Sequence, residues 1–119
     1  LRGGVAGVLE ATLDAMAALG ARPDRIRAAV GPCIAKTSYE VGPDVHEAVG
    51  GAFCAPGRDG RWQFDLSAYC AHRLSRRGAT ATVIGADTLA DPVRFFSHRR
   101  RTLAGGGPIG HQISIVVRS

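Results

Sequence analysis

IRAAVGPCIAKTSYEVGP, residues 26–43, decides how this chain folds. IRAAVG is a short apolar run with β-branched residues at its ends, so it reads as a buried strand. The Gly31-Pro32 pair stops that strand in a turn. Past YEVG, Pro43 stands where a first-turn proline belongs and predicts a short helix through roughly Val49. Upstream, Val5, Val8, Leu9, Thr12, Leu13 and Met16 recur at helical spacing, and Gly20 sits at the C-terminal cap position. That pattern predicts one amphipathic helix of about four turns. ARPD connects it to the strand.

Downstream, GGAFCAPGRDGRW is rich in Gly and Pro and reads as a loop holding the single tryptophan, Trp62. Asp65 is a natural N-cap for a helix whose apolar stripe is Leu66, Tyr69, Cys70 and Leu74, ended by Gly78. TATVIG predicts a strand. ADTLADPVRFFSHRRR reads as a loop with one extended piece, and LAGGGPIG as a flexible link. QISIVV predicts a closing strand with Ile113, Ile115 and Val117 on one face. Helix, strand, helix, helix, strand, strand in succession means α/β or α+β. Residues 1–119 make one domain or part of one, with no internal repeat.

Composition narrows the function classes. The 119 residues are 45% hydrophobic and 21% charged, an ordinary balance for a globular protein. No apolar run reaches membrane-spanning length and no signal-peptide pattern opens the chain, so a cytoplasmic protein is expected. Three cysteines without paired spacing argue against a secreted disulfide framework. The net charge of +5 comes from fourteen arginines and one lysine, Lys36. Arginine suits planar, bidentate anion contacts, although a GC-rich coding sequence also supplies it. The opening LRGG, with no methionine, suggests the C-terminal part of a longer domain.

Three stretches can carry chemistry. In LRGGV, a helix N-terminus leaves N–H groups unpaired, Gly3 and Gly4 permit close approach to the backbone, and Arg2 adds a fork of donors. That is a seat for phosphate or carboxylate, or an ordinary loop before a helix. Cys33 is a nucleophile only with a base, and a metal ligand only with partners. The cysteines and histidines form no CxxC, HxH or HxxxH, so a small buried cysteine after a strand is the plainer alternative. RFFSHRRR, residues 94–101, can stack a base and hold phosphate, or it can be a strand with Phe95 or Phe96 in the core and its arginines in water. A nucleic-acid-binding module built on this segment is a further alternative. With basic residues otherwise scattered, it ranks low.

Four ordered blocks then resemble one family. LRGGVAGVLEATL, GPCIAKTSYEVG, FDL at 64–66 and DPVRFFSHRR at 91–100 are similar to segments of the laccase-domain (polyphenol oxidoreductase-like) proteins. These include purine nucleoside phosphorylases of broad specificity, also credited with adenosine deaminase activity. The resemblance covers essentially the whole chain. It implies a layered α/β/β/α sandwich and phosphorolysis of adenosine, inosine or methylthioadenosine. It also implies zinc or copper in the full-length protein.

Departures from the family pattern are Leu1 in place of a tryptophan, Asp87 where a cysteine is common, and His111 for an arginine. The family's two histidine ligands and one cysteine ligand would all precede Leu1, so no metal is expected in this chain, which is expected to be inactive alone. Cys33 matches the turn cysteine and not the ligand, which makes it wall and not reagent.

The expected substrates are therefore a purine nucleoside and phosphate. Arg2 is the expected catalytic anion clamp with Gly3 and Gly4. Arg99 and Arg100 reinforce it, and Phe95 or Tyr39 borders the nucleoside. Copper-dependent phenol oxidation is the competing activity, and four scattered histidines speak against the clusters it needs.

Overall fold

A computed structural model describes residues 1–117. The elements in chain order are α1 (Arg2–Val5), α2 (Val8–Ala18), β1 (Arg27–Val30), β2 (Glu40–Val41), α3 (Pro43–Val49), β3 (Cys54–Pro56), β4 (Trp62–Phe64), α4 (Leu66–Arg76), β5 (Thr80–Val83) and α5 (His98–Leu103). Single turns of 3-10 helix lie at Pro23–Arg25, Lys36–Ser38 and Gly51–Phe53. The fold is mixed α/β. β1 and β5 pair in parallel with Arg27 opposite Thr80, and β2-β4-β3 form an antiparallel sheet.

Several sequence expectations hold. Strand β1 ends before Gly31, α3 starts at Pro43, and β5 lies where TATVIG was expected. At the start of α4, Asp65 Oδ1 accepts the Ala68 amide at 2.9 Å. The C-terminus of α2 closes with Gly20 N–H donating to Ala17 O and Ala21 N–H to Met16 O. Gly78 and Ala79 repeat this on Ser75 and Leu74 at the end of α4. Both are Schellman closures, which satisfy carbonyls the helix leaves open.

Several expectations change. The long first helix is two helices, because Gly7 adopts φ 89, a left-handed conformation that ends α1 and starts α2. β1 is half-buried, with Arg27 and Ala29 outward. The supposed loop 50–62 contains β3 and the start of β4, joined through a tight turn in which Gly57 N–H donates to Arg61 O at 2.9 Å. Strands of three residues leave too short an alternation to register beside so many turn formers. Finally, the RFFSHRRR segment enters helix α5, where Ser97 Oγ caps the Arg100 amide at 3.2 Å.

QISIVV departs in the other direction. Residues 112–117 form no strand among the described residues, and Ile113, Ile115, Val116 and Val117 are exposed. β-propensity alone does not make a strand; a partner ladder does.

Helix α4 holds the molecule together. Its Leu74 joins Leu13, Ile26 and Ala79 in one core under the parallel pair. Its Tyr69 joins Val41 and Phe64 in a second core over the antiparallel sheet. Phe64 is completely buried, and the burial of such a ring stabilises by about 2–3 kcal/mol.

Candidate functional site

The turn after β1 and the loop after β5 run side by side. Cys33 N–H donates to Ala86 O at 3.2 Å, and Thr88 N–H donates to Cys33 O at 3.0 Å, so the parallel pairing continues beyond the strands. Asp87 pins the two loops. Its carboxylate accepts from Ser38 Oγ at 2.7 Å, Leu89 N at 2.9 Å and Ala35 N at 3.1 Å. Desolvation works to raise this carboxyl. The hydrogen bonds from Ser38, Leu89, Ala35 and Ala90 outweigh it and hold the group below the usual carboxylate range.

Between these loops and the start of α5 lies a groove of about 450 Å3, bordered by Leu1, Tyr39, Thr88, Phe96, His98 and Arg99. Tyr39 rests on the buried Phe64, ring centroids 5.7 Å apart. Burial raises its phenol, opposed by the nearby Arg99, so it is a protonated hydroxyl at neutral pH. The Arg99 guanidinium sits 6.0 Å from the Tyr39 ring centroid and donates to the Glu40 carbonyl. Two aromatic faces, a phenol and a guanidinium at one groove suit a planar, polar ligand.

The expected site residues are distributed as follows. Tyr39 and Arg99 share the groove. Arg2 is exposed at the start of the four-residue α1, directly after Leu1 at the groove's rim. Gly3 faces Val8, and a side chain at Gly4 would meet Tyr69. Phe95 does not border the groove. It is covered by Arg94, whose guanidinium lies 5.2 Å from the ring centroid, and Phe96 takes its place. Arg100 turns inward and donates to the carbonyls of Thr88, Leu89 and Phe95 at 2.8, 2.9 and 2.5 Å. It fastens the loop that carries Phe96.

Phe96 and His98 lie in the RFFSHRRR segment that the sequence picks out, but neither is named there among the expected site residues, and the structure puts both at the groove. The missed signal was Ser97 as an N-cap, which fixes the helix start and with it the side on which each aromatic falls.

The arginines of residues 94–101 are tied to the protein itself. Arg94 pairs with Asp91, Arg99 and Arg100 bind carbonyls, and Arg101 contacts His98. The segment is thus not an open cationic face of the kind that tracks a nucleic-acid backbone.

Cys33 borders a separate cavity of about 90 Å3 with Lys36, Asp65 and Ser67. Desolvation, with Cys70, Asp65 and Asp87 nearby, raises its thiol, so the group is neutral and a weak nucleophile. Cys54 and Cys70 are also raised by burial. His46 stacks on Trp62 at 4.3 Å and His72 leans on Phe53 at 5.2 Å. Among the described residues no three His, Cys, Asp or Glu side chains converge as metal ligands. The described residues therefore do not by themselves make a zinc or copper centre. No helix among the described residues is long and apolar enough to cross a membrane.

The chain is similar to several known proteins. The chain is 42% identical over 113 residues to a purine nucleoside phosphorylase of Xylella fastidiosa, covering 87% of this chain and 42% of that one. It is 36% identical over 112 residues to a purine nucleoside phosphorylase of Pseudomonas aeruginosa, covering 87% and 45%. In structure it resembles the hypothetical protein YfiH of Bacillus licheniformis, with a TM-score of 0.78 at 23% identity over 85% of this chain and 42% of that one. Neisseria meningitidis protein NMB0706 gives 0.70 at 32% identity, over 83% and 43%. The chain thus spans less than half the length of the relatives it matches. All of residues 1–119 match the family model described as multi-copper polyphenol oxidoreductase laccase, and the chain belongs to that family.

Proposed function

We propose that this chain is the C-terminal portion of a purine nucleoside phosphorylase and supplies the nucleoside-facing wall of its site. The observation that carries this is the groove where Tyr39, Phe96 and Arg99 meet, in a chain whose relatives bear that name. In phosphorolysis a phosphate oxygen bonds to the ribose anomeric carbon as the bond to the purine nitrogen breaks, and the electron pair leaves with the base. Tyr39 and Phe96 border the planar base, and the Tyr39 hydroxyl offers it a hydrogen bond. Arg99 places positive charge where charge separates. Arg2, next in the chain to Leu1 of the groove, is the proposed phosphate clamp with the backbone at Gly3 and Gly4, and a lysine would not reproduce its two-pronged contact.

Adenosine, inosine and methylthioadenosine are the proposed substrates, with adenosine deamination as a second activity. The zinc or copper associated with the family finds no cage in this chain's own residues, and no step here is routed through it. In the longer protein the two sheets belong to a layered α/β/β/α sandwich.

The test is ribose-1-phosphate formation from inosine by the longer protein, with and without phosphate. Strict phosphate dependence, lost in Arg99→Ala with folding intact, is the expected result. Turnover of phenols with no phosphate requirement would instead establish the polyphenol oxidoreductase activity.

A further inference from the structure

We propose that His98 is held as a neutral Nε2–H tautomer by Arg101 and donates that hydrogen to a ring-nitrogen acceptor, N7, of the bound purine. This rests on the nucleoside site proposed above and adds to it the residue that reads the edge of the base.

His98 opens α5 and borders the groove beside Phe96 and Arg99. Its Nδ1 lies 3.0 Å from Nη2 of Arg101, one helical turn on. A guanidinium carries only donors and keeps its charge at any physiological pH. In that contact Nδ1 must therefore be the acceptor, and the one proton of the neutral ring sits on Nε2. Arg101 is itself constrained. Its Nε is buried without a partner among the described residues, and its Nη1 points at the Gly107 carbonyl, 3.5 Å away. Nε2–H is left as the free donor of the ring.

That assignment selects a ligand. A groove bordered by aromatic rings accepts many planar molecules, but a fixed donor favours one with an in-plane acceptor on its edge. Purines carry such an acceptor at N7. When the bond from the anomeric carbon to N9 breaks, its electron pair passes into the purine ring and N7 becomes a better acceptor. The hydrogen bond then strengthens on the way to the transition state, which is the condition for helping the reaction. The proton stays on Nε2 throughout, so no acid or base partner is required.

The experiment uses the longer protein to which this chain is proposed to belong, labelled with 15N-histidine. Long-range proton–nitrogen spectra report which imidazole nitrogen carries hydrogen. The expected pattern for His98 is a protonated Nε2 and a bare Nδ1, lost in Arg101→Met, a positioning variant that leaves the ring in place. Inosine and 7-deazainosine are then titrated, followed by the signals of Tyr39 and Phe96. Inosine should bind roughly tenfold more tightly, at the upper end of what one hydrogen bond contributes. His98→Phe should abolish that preference, and His98→Gln, which keeps a donor, should restore part of it. A bare Nε2, or equal affinity for the two nucleosides, overturns the proposal while leaving the nucleoside site standing. If neither nucleoside moves Tyr39 or Phe96, the groove is not a nucleoside site and the His98 contact falls with it.

Discussion

Replacing Arg100 by alanine should destabilise the chain more than any other change among its consecutive arginines. The guanidinium makes three hydrogen bonds to the carbonyls of Thr88, Leu89 and Phe95 in a half-buried setting. At about 1 kcal/mol net each, their loss costs about 3 kcal/mol, with water recovering part of it at the more exposed carbonyls. For a chain of this length that lowers the melting temperature by roughly 10 °C. Arg100→Lys should recover only about 1 kcal/mol, because an ammonium is one point and not a fork. Urea unfolding at low protein concentration measures both. Hydrogen exchange should localise the loss to residues 88–97, where the Thr88 and Phe95 amides are bonded in the wild type. An alanine variant within about 0.5 kcal/mol of wild type, the range of ordinary surface changes, would refute the clamp. So would a lysine variant as stable as wild type.

Four other outcomes are expected. Phe96→Ala should weaken inosine binding about tenfold, in the range of a lost stacking contact, while Phe95→Ala leaves it unchanged in the same calorimetric titration. Asp87 has a lowered carboxyl in the folded chain, so it adds stability above the unfolded carboxylate range and that share is lost as pH falls through the folded value. Asp87→Asn should flatten the acid side of the stability profile in urea melts between about pH 2 and 6, and an unchanged acid limb would count against it. In the longer protein, Arg2→Ala should raise the phosphate KM sharply and Cys33→Ser should leave most activity, with equal losses pointing to a reactive thiol. The chain alone should self-associate in sedimentation velocity through its exposed Ile113, Ile115 and Val117, and Thr at 113 and 115 should reduce the larger species.

Much of this architecture is legible in the residues. Asp65 and Gly78 bracket α4 because a carboxylate cap and a left-handed glycine are local devices, read without knowing the rest of the fold. Pro43 announces α3 for the same reason. Strands β2, β3 and β4 were not legible, since two or three residues give no period and their pairing depends on distant partners. QISIVV errs the opposite way, with the composition of a strand and no neighbour among the described residues to pair with. At the groove, Tyr39 and Arg99 were within reach of the sequence because each belongs to a recognisable block. The choice between Phe95 and Phe96 was not, because it turns on the rotation set by the Ser97 cap. Arg100 shows the limit most plainly. Charge suggests an anion partner, and only the folded backbone shows three carbonyls waiting for it.

The parallel pair carries a consequence for the order of assembly. Arg27 of β1 meets Thr80 of β5, and everything between them in the chain, including the whole antiparallel sheet and α4, lies inside the loop that this contact closes. Closing so long a loop in a disordered chain is entropically costly and repaid late. The β3-β4 hairpin, the β2 strand that adds to β4 and the α4 turn they feed are local enough to form first, shortening the effective loop before β1 and β5 meet. The groove lies across that seam, with Tyr39 on the early side and Phe96 and His98 after β5. Its two walls therefore come together only in the last step of folding.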